Sequence, residues 1–264
     1  MQFVRFGAAL VTGASSGLGA AFARELARRG ADLILVARRE ERLHALAGEL
    51  TKQHGVHVEV WPADLADPAG LEAIARKIEA LPVLDLLVNN AGIGGAGFFA
   101  EEPPDSQQHM VALHMSAPTR LCRAALPGMI ARHTGALINV ASLAAFIPLP
   151  GSTLYCATKA AVVALSRAMD METRGSGVRV QALCPGFIRT EFHNSLDPRR
   201  FDPSRIPGFM WSPPEDVVTA SLAGLERGQV ICVPGAQYRL ILALARTGVI
   251  HPALSLAQRT RGYA

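Results

Sequence analysis

Three side chains in the second half of the chain could move a proton together. Tyr155 and Lys159 stand four residues apart in Tyr155-Cys156-Ala157-Thr158-Lys159, a segment of helical period, so both fall on one helix face. A free phenol has a pKa of about 10, too high for efficient proton exchange at neutral pH. A neighbouring ammonium favours the phenolate and would lower that value. Ser142 lies thirteen residues upstream of Tyr155, just after an apolar run, where its hydroxyl could meet the same reacting oxygen. Taken singly each is commonplace, since a helix Tyr packs and a helix Lys is solvated. Together they point to acid–base work on an oxygen-bearing substrate.

A second pattern offers a seat for an anion. Thr12-Gly13-Ala14-Ser15-Ser16-Gly17-Leu18-Gly19 falls between the first apolar run and the first helical segment. Glycines there permit a tight turn and let backbone approach a pyrophosphate at the positive end of a helix. The spacing is G-x-x-x-G-x-G, not the commoner G-x-G-x-x-G of dinucleotide sites. The second apolar run ends in Val36-Ala37-Arg38-Arg39, with no acid before Glu40. An acid would bind the adenosine ribose of NAD and repel a 2′-phosphate, whereas guanidinium forks suit phosphate. NADP(H) is therefore expected over NAD(H), with Arg38 as the phosphate ligand; Arg39 fits that role or the start of a solvated helix face.

Apolar runs near residues 8–11, 32–36, 57–61, 84–88, 136–140, 178–183 and 230–233 alternate with helical segments near 18–29, 40–53, 68–80, 105–132, 152–174 and 214–227. Near-continuous apolar strands belong in a sheet covered on both faces. The alternation predicts one α/β domain with a doubly wound, Rossmann-type, seven-stranded, mostly parallel sheet. Asp67-Pro68 reads as a helix start, and Gly30 and Gly175 as helix stops. Residues 1–237 form the expected domain. Within it, 191–214 holds five prolines, several aromatics and no clear period, which suggests a substrate loop or lid.

Half of the 264 residues are hydrophobic and 18% are charged, which excludes a disordered chain. Lys and Arg exceed Asp and Glu by 26 to 22. The excess lies entirely in residues 238–264, through Arg239, Arg246, Arg259 and Arg261. The main domain is thus neutral, without the basic stripe of a nucleic-acid binder. Cys122, Cys156, Cys184 and Cys232 lack the spacing of a zinc site or disulfide framework and read as reduced thiols of a cytoplasmic protein. No cleavable signal is evident at the N-terminus, and no stretch reads as a membrane span.

These motifs, in this order, resemble the short-chain dehydrogenase/reductase superfamily in its branch of about 250 residues, over nearly the whole chain to Val233. Residues Gly13, Ser15, Ser16, Gly17, Leu18 and Gly19 match its cofactor loop, and Asp64-Leu65 the pair that touches adenine. Asn89-Asn90-Ala91-Gly92 matches the motif beside the cofactor. Pro185-Gly186-Phe187-Ile188-Arg189-Thr190 matches the segment holding the nicotinamide. Ser142, Tyr155 and Lys159 match the catalytic trio. One position departs: His114 stands where many members carry an Asn that positions water in a proton relay behind the lysine. Its imidazole could pass a proton or serve only the fold.

The resemblance implies hydride transfer between NADPH and a carbonyl or alcohol, with Ser142 holding the oxygen, Tyr155 exchanging the proton and Lys159 assisting while it binds the nicotinamide ribose. Apolar residues in 93–99, 143–150 and the later loop suggest a lipophilic ketone, aldehyde or acyl substrate. A catalytically weak NADP(H)-binding regulator or scaffold is the alternative, and an epimerase or dehydratase a third reading. Relatives are commonly homodimers or homotetramers built through the two long helices. The basic, apolar extension 238–264 could pack on its own subunit or a partner, cover the cleft, or lie on an anionic membrane surface.

Overall fold

The computed structural model describes residues 6–95, 97–192 and 202–246. Its strands are β1 (Ala8–Thr12), β2 (Asp32–Ala37), β3 (Val58–Pro62), β4 (Leu86–Asn89), β5 (Gly135–Val140), β6 (Val178–Leu183), β7 (Phe187–Ile188), β8 (Trp211–Ser212) and β9 (Ile231–Cys232). Seven of them form one sheet in the order β3-β2-β1-β4-β5-β6-β9, parallel throughout. The helices are α1 (Gly17–Arg28), α2 (Glu40–His54), α3 (Pro68–Glu79), α4 (Pro104–Val111), α5 (Ala117–Ala131), α6 (Thr153–Glu172), α7 (Pro214–Glu226) and α8 (Ala236–Arg246).

Successive strand residues point to opposite faces, and helices cover both. Ala9, Val11, Leu33 and Leu35 pack with Phe22, Leu26, Leu43, Leu50 and Leu222 of α1, α2 and α7. Leu10, Ile34, Leu87 and Leu137 pack with Ile74, Ile78, Leu121 and Met169 of α3, α5 and α6. The expected helix boundaries have clear causes. Asp67 Oδ2 accepts from the Gly70 N–H at 2.8 Å, with Pro68 in the first turn of α3. Gly30 follows the end of α1 at φ +85°, whereas α6 ends at Glu172, short of Gly175, where Thr173 caps it and donates its Oγ1–H to the Met169 carbonyl at 2.9 Å. The chain leaves β1 toward β2 and leaves β4 toward β5, in opposite directions. A crevice opens where they part, at the carboxyl ends of the strands, and parallel sheets of this kind bind ligands there.

Two larger features depart from the sequence reading. The helix expected over 105–132 is broken: α4 and α5 are joined by one turn of wider π-helix over Ala112–Ser116. Pro118, in the first turn of α5, has no N–H to give the His114 carbonyl, so the regular ladder cannot run through this point. The second departure is at the end of the domain. The helix α8 begins at Ala236 and crosses the division expected at 237, and Tyr238 within it is buried. The Tyr238 hydroxyl accepts from the Phe187 N–H at 2.8 Å and donates to the Met210 carbonyl. Its ring fills the space a Cβ on Gly186 would need. The segment read as a substrate loop or lid is thereby anchored at its described end, since β7 and β8 pair with each other and Gly208–Met210 forms a short helical turn. Residues 193–201 of that loop, and 247–264 of the extension with Arg259 and Arg261, lie outside the described residues.

Removing the hydroxyl in Tyr238→Phe leaves an amide and a carbonyl without their partner. The expected cost is about 1–3 kcal/mol, seen as a drop of several degrees in Tm; an unchanged Tm would show that the tether carries no load.

Candidate active site

Six strand ends, those of β1 to β6, deliver the site. From β1 comes the glycine loop. Gly13 and Gly17 take φ +65° and +55°, and a Cβ on Gly19 would collide with the Gly13 carbonyl. Ser16 precedes α1 in extended backbone without capping it by its side chain. This cradle fits a pyrophosphate. Leu18 is buried behind it. At the end of β4, Asn90 Nδ2 donates to the Thr12 carbonyl at 2.9 Å. The N–H groups of Asn90 and Ala91 donate to Thr12 Oγ1 at 2.9 and 3.0 Å. Thr12 opens the glycine motif, but no site role was expected of it.

Ser142 follows β5 and opens a short helical turn, where its Oγ accepts from the Ala144 N–H at 3.1 Å. It is also near enough to Tyr155 to lower that phenol's pKa. Pro185, after β6, accepts from the Leu143 N–H at 2.9 Å and joins the serine turn to the segment 185–190. Ile188 is buried there, and Thr190 approaches Gly17 of the glycine loop.

Tyr155 and Lys159 share one face of α6, with Lys159 Nζ 5.7 Å from the phenol ring centre. Lys159 is 5% exposed, and its Nζ donates to the Val140 carbonyl at 2.9 Å. Burial pulls this amine down to about 8. Burial likewise pushes the Tyr155 phenol up to about 12, against a smaller lowering by Ser142. The sequence reading had the ammonium lowering the phenol. Here desolvation dominates instead, because it disfavours the charged form of each group.

His114, in the π-helical turn, is 2% exposed. Its Nε2 accepts from the Ile93 N–H at 3.0 Å, and Nδ1 lies 3.0 Å from Thr158 Oγ1. With Nε2 an acceptor, the ring proton belongs on Nδ1 and points at Thr158. Both nitrogens are committed. Desolvation, then the nearby Lys159, pushes the imidazole down to about 2, so it is neutral. A Cβ on Gly92 would press on that ring at 3.1 Å from Nε2. Behind Lys159 lies a small chamber with room for about one water, its lining more apolar than polar, where Leu65 and Pro118 meet Asn89, His114, Asn139 and Lys159.

The arginine pair after β2, expected to meet a 2′-phosphate, differs in detail from expectation. Arg38 is largely exposed, 3.7 Å from Asp64 Oδ2. Arg39 instead lies over the loop, donating to Ser15 Oγ at 2.9 Å and Ser16 Oγ at 2.6 Å. Asp64 Oδ1 accepts from the Ala66 N–H at 2.9 Å. Among the described residues no group of His, Cys, Asp and Glu could hold a metal.

The profile of the family described as short chain dehydrogenase matches residues 7–200. The chain belongs to this family. Among short-chain dehydrogenase relatives, the very-long-chain 3-oxoacyl-CoA reductase of Anas platyrhynchos is 32% identical over 249 residues, covering 92% of this chain and 77% of its own. Oxidoreductase UcpA of Escherichia coli is 38% identical over 190 residues, 71% of this chain and 72% of its own. A short-chain dehydrogenase from Sphingobium yanoikuyae, solved with NADPH, superposes with a TM-score of 0.81 at 36% identity, over 92% of this chain and 95% of that one. The bulky-bulky ketone specific alcohol dehydrogenase from Comamonas testosteroni gives 0.79 at 32% identity, over 94% and 95%.

The neutral His114 makes a prediction. Below its ordinary pKa of 6.5 the unfolded chain binds a proton there that the folded chain refuses until about pH 2. Folding stability should therefore fall with pH below 6.5, by up to about 1.4 kcal/mol per unit from this group. Urea midpoints at pH 7.5 and 5.5 should converge in His114→Asn relative to the parent; an equal acid loss in both would refute the assignment.

Proposed function

We propose that this short-chain dehydrogenase is an NADP(H)-dependent oxidoreductase that interconverts a carbonyl and an alcohol. The observation that carries the reading is the convergence of Ser142 and Lys159 on Tyr155, with Ser142 lowering the phenol's pKa, Lys159 Nζ 5.7 Å from its ring on the same face of α6, and the glycine loop across the crevice. The fold and the NADPH complex of the Sphingobium relative support the choice of cofactor. Gly13, Ser15, Ser16, Gly17 and Gly19 would hold its pyrophosphate, Arg38 and Arg39 its 2′-phosphate, and Asp64 and Leu65 its adenine. Asn90, Ala91, Gly92, Lys159, Pro185, Gly186, Ile188 and Thr190 would hold its nicotinamide half. When bound, NADPH supplies the hydride.

The chain's own residues supply alignment and the proton. Ser142 donates its hydroxyl hydrogen bond to the substrate oxygen and fixes it beside Tyr155. The high phenol pKa keeps Tyr155 protonated at neutral pH, the form that reduction requires. As negative charge gathers on the substrate oxygen, the Tyr155 proton moves to it, and the Lys159 ammonium stabilises the phenolate left behind. Protons return through the chamber behind Lys159. His114 shapes that chamber without titrating, since its imidazole holds α6 through Thr158 and the 91–93 backbone through Ile93.

A lipophilic substrate suits the apolar approach, where Phe192 lies 6.3 Å from the Tyr155 ring and Phe99 and Leu149 are exposed nearby in sequence to the site segments. The 3-oxoacyl-CoA reductase and the bulky-ketone alcohol dehydrogenase among its relatives support the same class. A cytoplasmic setting suits four free, buried cysteines. No helix among the described residues is long and apolar enough to cross a membrane. Assembly as a homodimer or homotetramer through α4–α5 and α6 remains part of the proposal, and so does a peripheral membrane contact through the extension.

The test is NADPH oxidation with a panel of lipophilic ketones, aldehydes and 3-oxoacyl thioesters. Tyr155→Phe should lower kcat by about 10²–10⁴-fold while NADPH binding stays within twofold, roughly the scatter of such titrations. Near-normal turnover by that variant would overturn the mechanism.

A further inference from the structure

The cations at the adenosine end already hold an anion of the chain's own. Glu191 Oε2 lies 2.8 Å from Arg42 Nη1 and 3.3 Å from Arg39 Nη1, and Oε1 lies 3.2 Å from Arg42 Nη1. Arg39 is held from its other side by Ser15 and Ser16 of the glycine loop. Glu191 directly follows Thr190, whose Cβ would lie 3.1 Å from a Cβ on Gly17. The Thr190–Glu191 segment thus crosses the mouth of the loop, with Thr190 against its last turn and Glu191 against the guanidinium pair.

We propose that Glu191 stands in for the cofactor's 2′-phosphate, so that NADP(H) must displace its carboxylate from Arg39 and Arg42 to bind, and that Arg42 belongs to the phosphate subsite. The inference rests on the NADP(H) reading above. One carboxylate faces two guanidinium groups, so net positive charge remains to draw a second, stronger anion. A phosphate monoester brings nearly two charges and three acceptor oxygens, and it pairs with guanidinium forks better than a carboxylate does. The exchange therefore runs toward the cofactor. The two arginines also hold the Glu191 carboxyl below its usual range, so it stays ionised and competes across the neutral range.

The exchange also couples the two ends of the cleft. Releasing Glu191 frees the chain immediately after Thr190, in the segment that would meet the nicotinamide and leads into the substrate loop. A cofactor without the 2′-phosphate has nothing to put in its place, so Glu191 acts against NADPH affinity but not against NADH.

The side chains are about half exposed, and exposed ion pairs are weak, so the effect should be a few-fold. In Glu191→Gln, calorimetric Kd values for NADPH and for adenosine 2′,5′-bisphosphate should each fall by about three- to tenfold, with that for NADH unchanged. Arg42→Gln should weaken both phosphate-bearing ligands and spare NADH. No gain, a loss, an equal gain for NADH, a gain for NADPH without one for the bisphosphate, or phosphate-ligand affinities unchanged in Arg42→Gln would each overturn the proposal. So would an equal gain in Glu41→Gln, which makes the same change of net charge one residue from Arg42 in α2. Parity of NADPH and NADH in the parent protein would strike the cofactor reading alone, because the proposal is read from the shift that Glu191→Gln produces with the bisphosphate.

Discussion

The site depends first on one hydroxyl at the centre of the sheet. Thr12 Oγ1 accepts the N–H groups of Asn90 and Ala91 and donates to the Val88 carbonyl at 3.3 Å. It thereby ties the end of β1 to the end of β4 at the place where the two halves of the fold part. A parallel sheet must open here, because its crossovers diverge, and unpaired amides at a buried strand end are costly. The hydroxyl satisfies two of them and fixes the glycine loop against Asn90. Everything downstream inherits this registration: Asn90 leads to Gly92, Gly92 packs on His114, and His114 reaches α6 through Thr158. Valine would match threonine in shape and make none of these bonds.

The second governing constraint is desolvation at α6. A lysine and a tyrosine buried together each lose the water that would support a charge, so burial moves their pKa values apart, to about 8 and about 12. This arrangement stores no charged phenol in advance. It keeps an acid loaded and a cation close, which is the more useful state for protonating an oxygen that becomes negative only as the reaction proceeds. The Val140 carbonyl shares the work by holding the ammonium in place.

Much of this was legible in the sequence, because the signals were local. Seven apolar runs, the glycine spacing and the four-residue step from Tyr155 to Lys159 are each carried by a few neighbouring residues, and each element appears within a few residues of its expected position. The less legible parts depend on residues distant in sequence. The break at Ala112–Ser116 had a local cue in Pro118, but a proline midway along a long periodic segment reads equally well as a tolerated kink. The commitment of both His114 nitrogens needed Ile93 and Thr158, which lie 21 and 44 residues away. The role of Arg39 beside the glycine loop needed the crossing of Glu191, and the helical start of the extension needed Tyr238 to find Gly186. The burial that sets the Tyr155 pKa is likewise a property of the packed fold and cannot be read from spacing.

The tether through Tyr238 has a bearing on how such a chain can diversify. One phenol fastens Phe187 and Met210, so the two margins of the entrance are pinned to the same helix whatever joins them. Insertions and replacements between those anchor points, beyond Ile188, Thr190 and Glu191, can therefore accumulate without loosening the catalytic frame. Selection can thus remodel what is admitted while the chemistry stays fixed.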